Sequence, residues 1–194
     1  YSRVFRVAVY GVLESGWIGY LGFNFIQIIQ MEIKQLKSIL WSQFGASIDM
    51  LHNAITLCPE TVWNNEKKFW YNAYHCIFFL DYYLTLDTAN YTPPSPFDES
   101  EFEDRMPERI YTKAEVLDYL NFCRDKCKTF ILGLSEDLGQ VHWINQSKTM
   151  DYNVIEILLY NMRHVQHHAA QLNLILRQEI DDAPSWVFHV NDFK

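Results

Sequence analysis

Leu36, Leu40, Phe44, Ile48, Leu51 and Ile55 recur every three or four residues, and that spacing predicts a first helix over about residues 32–57 with one apolar face. The break CPETVWNNEK follows. A second helix is predicted over about 68–86, aromatic nearly all round through Trp70, Tyr71, Phe78, Phe79, Tyr82 and Tyr83. A helix of that kind is buried on several sides or meets a partner subunit. The polar, proline-bearing stretch DTANYTPPSPFDESEFEDRMPERIY separates it from a third helix. That helix opens on a capping box formed by Thr112 and Glu115 and runs to about Leu138. A fourth spans about 152–180, with Asp151 as its N-cap.

Connection lengths suggest how these helices are wired. The breaks between the first and second and between the third and fourth are each roughly a dozen residues, short enough for antiparallel neighbours. The connection between the second and third is about twice as long, and an extended chain of that length returns along a helix easily. The predicted fold is all-α, a four-helix bundle in up-down-down-up order with a long crossover between helices two and three.

The first thirty residues break the pattern. They carry only Arg3, Arg6 and Glu14 as charges, glycines interrupt them at 11, 16, 19 and 22, and no clean helical stripe emerges. A signal or membrane anchor, an additional packed segment, and upstream sequence preceding a start at Met31 all compete. Glu14 interrupts the apolar run and the stretch after it is too short and polar to span a bilayer comfortably, which argues against the anchor. The last is preferred, because the chain begins with Tyr while MEIKQLKSIL at Met31 reads as a natural start. The chain is therefore divided into an extra segment at 1–30, a bundle at 31–183 and a C-terminal tail at 184–194.

Composition narrows the class. In 194 residues, 7 glycines and 6 prolines favour helices over a turn-rich β fold. A net charge of −8 without any basic stripe argues against nucleic acid, and a membrane partner is not expected. Cys58, Cys76, Cys123 and Cys127 lack zinc-ribbon spacing. Cys123 and Cys127 sit one helical turn apart, a poor geometry for a disulfide, so reduced thiols and a cytoplasmic location are expected.

The fourth helix carries the chemistry. Val154, Ile157, Asn161, His164, His168, Gln171 and Ile175 alternate in steps of three and four. The stripe is apolar at its ends and polar in the middle, and a buried polar block costs free energy unless each group finds a partner. A hydrogen-bonded core network is one answer. A metal is the other: neutral imidazole is a common ligand, and residues four apart share a helix face. His167 is rotated about 100° from His168 and is expected to face solvent or a neighbouring helix. His75, mid-way along the second helix, offers a third imidazole at similar depth. Three imidazoles from two helices leave open coordination positions, as catalytic sites do.

AYHCIFFLDYYL, followed far downstream by LLYNMRHVQHHAAQLNLIL, resembles the DinB/YfiT-like superfamily of metal-dependent enzymes. The family pattern, a helix-two histidine plus HxxxHxxQ on the last helix, falls on His75, His164, His168 and Gln171, and the resemblance covers about residues 32–178. It implies an up-down-down-up bundle, often dimeric, that binds one divalent metal through His75, His164 and His168. Zinc, nickel, iron and manganese are all compatible with three imidazoles. It also implies thiol-dependent transferase or isomerase chemistry, while many members have no assigned reaction. The first thirty residues have no counterpart in it.

The expected function is a metal-dependent transferase, activating a low-molecular-weight thiol, or a hydrolase activating water, with a small-molecule substrate and a homodimeric state. No carboxylate base is evident on the histidine faces, which favours transfer. The rival is a non-catalytic, metal-stabilised bundle serving as a binding or stress-response module. No catalytic or cofactor-binding residue is assigned. His52 is expected at the surface, and His142 and His189 in loop and tail. Asp81 is expected either to orient a ligand histidine or to pair with Arg124 or Arg163. Tyr71, Tyr74 and Tyr82 are read as pocket or core, Cys76 as pointing away from the site, and the acidic run DESEFED as a solvated loop or a lid.

Overall fold

The structure is a computed structural model that describes the backbone of residues 15–135 and 140–191 and, within these, the side chains from residue 33 onward. The first helix, α1, spans Ser15–Leu57. Its backbone therefore extends well before the predicted start at about residue 32. Glycines at 16, 19 and 22 lower local propensity and blur the sequence stripe, but adding turns to an existing helix is far cheaper than nucleating one. The reading of residues 1–14 and of the side chains through 32 lies outside the described residues. By contact, the chain divides into residues 1–36 and residues 37–194.

Leu36, the first position of the predicted stripe, is exposed, whereas in the larger unit Leu40, Phe44, Ile48, Leu51 and Ile55 of α1 are buried, as the stripe predicts. The helix ends before Pro59, which disfavours helical backbone at Cys58. Pro59 caps a one-turn helix, α2 (Glu60–Trp63), inside what the sequence presents as a plain break. Trp63 anchors this turn by donating its indole N–H to the Tyr111 carbonyl at 2.9 Å.

Helix α3 (Phe69–Tyr83) is buried around most of its circumference, with Tyr71, Asn72, His75 and Phe79 half-buried along one side, and it packs chiefly against α5 and α4. It stops three residues before the predicted end, with Leu84 as its C-cap. The long connection that follows is pinned by aromatic rings. Phe97 stacks on Tyr119 at 4.5 Å and on Tyr74 at 5.7 Å, and Phe102 packs edge-on against Phe78 and Tyr82, each at 4.9 Å.

Helix α4 (Lys113–Leu132) begins at the predicted capping box, with both reciprocal bonds between Thr112 and Glu115 present. It ends at Gly133 and not near Leu138; residues 136–139 lie outside the described residues. A short antiparallel hairpin follows, unanticipated by the sequence: β1 (His142–Ile144) pairs with β2 (Asp151–Asn153), with Trp143 opposite Tyr152. Trp143 is fully buried and donates to the Thr85 carbonyl at 3.1 Å. Three-residue strands are too short to show an alternating pattern. The hairpin also displaces the predicted cap. Asp151 belongs to β2, and α5 (Val154–Ile180) is capped by Asn153, whose side chain accepts from the Glu156 N–H at 2.9 Å.

The chain is thus mostly helical with one small hairpin. Beyond α5 the tail doubles back on α1. The Val190 N–H donates to the Ser42 carbonyl and the Asn191 N–H to Asp49 Oδ2, both at 2.9 Å. Gly45 permits this approach, since a Cβ there would lie 2.4 Å from Val190 Cγ2. Among the described residues, no helix is long and apolar enough to cross a membrane.

Candidate metal centre

Two helices supply three imidazoles. His75 lies mid-way along α3, and His164 and His168 lie one turn apart on α5. Residues four apart on a helix differ by about 40° and 6 Å, so the latter two rings leave the same side. Because α3 packs on α5, the rings meet: one nitrogen of each lies within 4.8 Å of the others. Ring centroids are separated by 4.5 Å for His164 and His168, 4.9 Å for His75 and His168, and 5.7 Å for His75 and His164. All three side chains are half-buried. Phe79, 4.9 Å from His75 and 5.9 Å from His164, and Tyr83, 5.8 Å from His164, wall the cluster.

Two of the rings are oriented by acceptors. His168 Nδ1 meets Asn72 Oδ1 at 2.8 Å, and His75 Nδ1 meets Glu101 Oε2 at 2.6 Å. An amide or carboxylate oxygen accepts, so each imidazole donates from Nδ1, which leaves Nε2 as the nitrogen outside that bond. His164 Nδ1 is buried without a protein partner, a costly state that calls for an explanation. Burial, reinforced by His168, His75 and His167, pushes the His164 pKa down to about 3. Burial, with His75 and His167 adding to it, pushes His168 down to about 4.

These features fit a divalent ion. Neutral imidazole is the ligating form. Nitrogens around a common tetrahedral ion stand about 3.4 Å apart, so the cluster is somewhat more open than a loaded one. Among the described residues, no fourth histidine, cysteine, aspartate or glutamate joins the three.

The sequence profile of the DinB superfamily matches residues 43–172, a span that contains His75, His164 and His168. The chain belongs to the DinB superfamily. Comparison with curated proteins and with solved structures gives no match.

Several residues of this DinB-superfamily chain stand elsewhere than the sequence suggests. Gln171 is exposed and lies 3.0 Å from His167 Nε2, not in a buried block. Asn161 is fully buried but serves the core, donating to the Leu80 carbonyl at 3.0 Å. Asp81 neither orients a histidine nor pairs with Arg124 or Arg163. It accepts from Lys126 at 2.5 Å and Tyr119 at 2.8 Å, while Arg124 pairs with Asp49 at 3.0 Å. His167 is exposed, as expected. His52 is half-buried near Thr56, His142 is exposed and pairs with Asp151 at 2.5 Å, and His189 is exposed. Tyr74 and Tyr82 are buried, bonded to the Asp98 carbonyl and the Gln146 N–H. All four cysteines are free and buried, and burial raises the Cys76 thiol pKa.

Sequence reasoning missed two residues at the centre. Asn72 lies one turn before His75 and carries no distinguishing signal. Glu101 belongs to the acidic run DESEFED, whose composition reads as solvated, yet its side chain is only 3% exposed. Half-buried Tyr71 lies beside the same carboxylate. Burial first, and then Glu101, pushes its phenol pKa up to about 12.

Proposed function

We propose that this chain is a metal-dependent enzyme built on an up-down-down-up four-helix bundle formed by α1, α3, α4 and α5. His75, His164 and His168 would hold one divalent ion, with zinc, nickel, iron and manganese all compatible with the donor set. The observation that carries this reading is the convergence of three imidazoles from two helices without a fourth ligand among the described residues. Structural zinc sites close with four protein ligands, whereas catalytic ones keep a position open. When bound, such an ion supplies Lewis acidity to a thiol or a water.

The protein's own groups define the rest of the site. Asn72 fixes the tautomer of His168. Phe79 and Tyr83 exclude water from one side of the imidazoles and lower the local dielectric. A groove of about 480 Å³ along α5, lined by Tyr160, Arg163, His164, Gln166, His167 and Ala170, has the size of a small-molecule site. Transfer to a low-molecular-weight thiol is favoured over hydrolysis, because the carboxylate nearest the imidazoles, Glu101, is bonded to the Nδ1 edge of His75. The homodimeric state implied by the family resemblance is part of the same proposal.

Metal titration of wild type and four alanine variants tests the reading. Wild type purified without a histidine tag should contain close to one divalent ion per chain. His75→Ala, His164→Ala and His168→Ala should each lose more affinity than the ~10–100-fold typical of removing an outer partner. His167→Ala should retain metal. Wild type that takes up neither zinc nor nickel at neutral pH overturns the proposal. Full occupancy in His168→Ala with loss in His167→Ala overturns the assignment of ligands.

A further inference from the structure

We infer that Glu101 is the positioning residue of this centre: its carboxylate holds His75 by Nδ1 and commits the opposite ring nitrogen to the metal. The inference rests on the metal reading above but names a residue that neither helix supplies. Glu101 comes from the long connection between α3 and α4.

Three observations carry it. The Glu101 side chain is 3% exposed although it sits in a run of seven residues of which five are acidic. An acidic side chain is almost never fully buried unless paired. The Glu101 carboxylate meets His75 Nδ1 at 2.6 Å and lies beside the Tyr71 phenol, while Oε1 is buried without a hydrogen-bond partner. That desolvation is unfavourable for loop folding alone, since a solvated glutamate would cost nothing. Finally, the segment is held down by its neighbours: Phe97 stacks on Tyr74 and Tyr119, Phe102 packs among Phe78, Phe79 and Tyr82, and the Asp98 carbonyl accepts from Tyr74 at 2.8 Å. The carboxylate is therefore delivered to His75 by anchors that do not depend on it.

The two imidazole nitrogens face opposite ways. A carboxylate on Nδ1 fixes one tautomer and one ring orientation, and its charge strengthens the other nitrogen as a donor. Glu101 consequently stands behind His75 from the metal and acts through that ring.

The test compares wild type, Glu101→Ala, Glu101→Gln and Glu103→Ala. Glu103 is an exposed member of the same run, paired with Arg105, and serves as the control. Zinc affinity is read by chelator competition, the cobalt(II) complex by its visible spectrum, and the His75 tautomer by long-range 1H–15N correlation on the metal-free protein. Glu101→Ala should bind zinc ~10–100-fold more weakly, shift the cobalt spectrum and lose the single Nδ1–H tautomer. Glu101→Gln keeps an acceptor without the charge, so it should restore the tautomer and most of the affinity. Glu103→Ala should match wild type in all three. If Glu101→Ala fails to fold, Glu101→Gln still decides: an unaltered cobalt spectrum together with a His75 tautomer unlike wild type overturns the inference. Wild-type zinc affinity and tautomer in Glu101→Ala overturn it while leaving the metal reading intact. A wild-type chain that takes up no metal overturns both.

Discussion

A buried imidazole that refuses protons leaves a mark on stability as well as on metal binding. The His164 and His168 pKa values, lowered to about 3 and about 4, lie below the ~6.5 of an unfolded chain. Above that value neither folded nor unfolded protein binds a proton at these sites, so they add no pH dependence. As pH falls below it, the unfolded chain gains protons that the folded one excludes, and stability is lost towards the folded values. The limiting slope is ~1.4 kcal/mol per pH unit for each histidine, and less for His168, whose partial exposure lets solvent screen it. Urea unfolding of metal-free protein between pH 7 and pH 5 should show this loss, with a shallower slope in His164→Ala; equal slopes in both proteins would count against burial as the cause. The histidines were legible as residues because they interrupt an apolar stripe at helical spacing. Their partners were not. Asn72 is an ordinary polar residue on α3, and only packing of the long connection reveals Glu101 as buried.

At the scale of elements, α3 has to present different faces to two neighbours at once. His75 faces α5, and Asp81, about 120° around the helix, faces α4. There it accepts from Lys126 at 2.5 Å, Tyr119 at 2.8 Å and Tyr91 at 3.3 Å with its side chain only 3% exposed. Breaking a buried pair from one side costs about 3–5 kcal/mol. Asp81→Ala should fall at the lower end, about 3 kcal/mol, because Lys126 stays partly exposed and keeps Thr85 Oγ1 at 2.6 Å. Asp81→Asn, which preserves an acceptor for Tyr119, should cost less. Chemical denaturation with the circular dichroism of the helices checks both, and a loss below about 1 kcal/mol in Asp81→Ala would show that the pair does not tie α3 to α4. The helices themselves were readable wherever a 3.6-residue period persisted, and the Thr112–Glu115 box fixed the start of α4 to the residue. What failed was local and short. Pro59 starts a one-turn helix, and HWI and DYN are too brief to show a strand. That an acid in an aromatic helix needs a partner is visible in the sequence; that it takes Lys126 over Arg124 or Arg163 depends on how α3 and α4 pack.

At the scale of the whole chain, the distribution of function can be separated from its length. His75, His164, His168, Asn72 and Glu101 all lie within the unit of residues 37–194, and the DinB superfamily profile begins at residue 43. Among the described residues, the buried core, too, starts at Leu40. A protein starting at Met31 therefore keeps every residue assigned to the centre and every buried α1 position from Leu40 to Ile55. It should unfold cooperatively and take up the same amount of metal per chain as the full sequence. Metal should also stabilise it by mass action, about 2.7 kcal/mol when free ion exceeds its dissociation constant a hundredfold. That increment should disappear in the same protein carrying His75→Ala, since His75 is the ring through which α3 would join the proposed ion. Thermal melts with zinc and with chelator, alongside elemental analysis, measure both effects. Insolubility, or a melting temperature far below that of the full chain under chelator, would show that residues 1–30 stabilise the protein. A normal melt without metal uptake would instead place part of the centre in the segment removed.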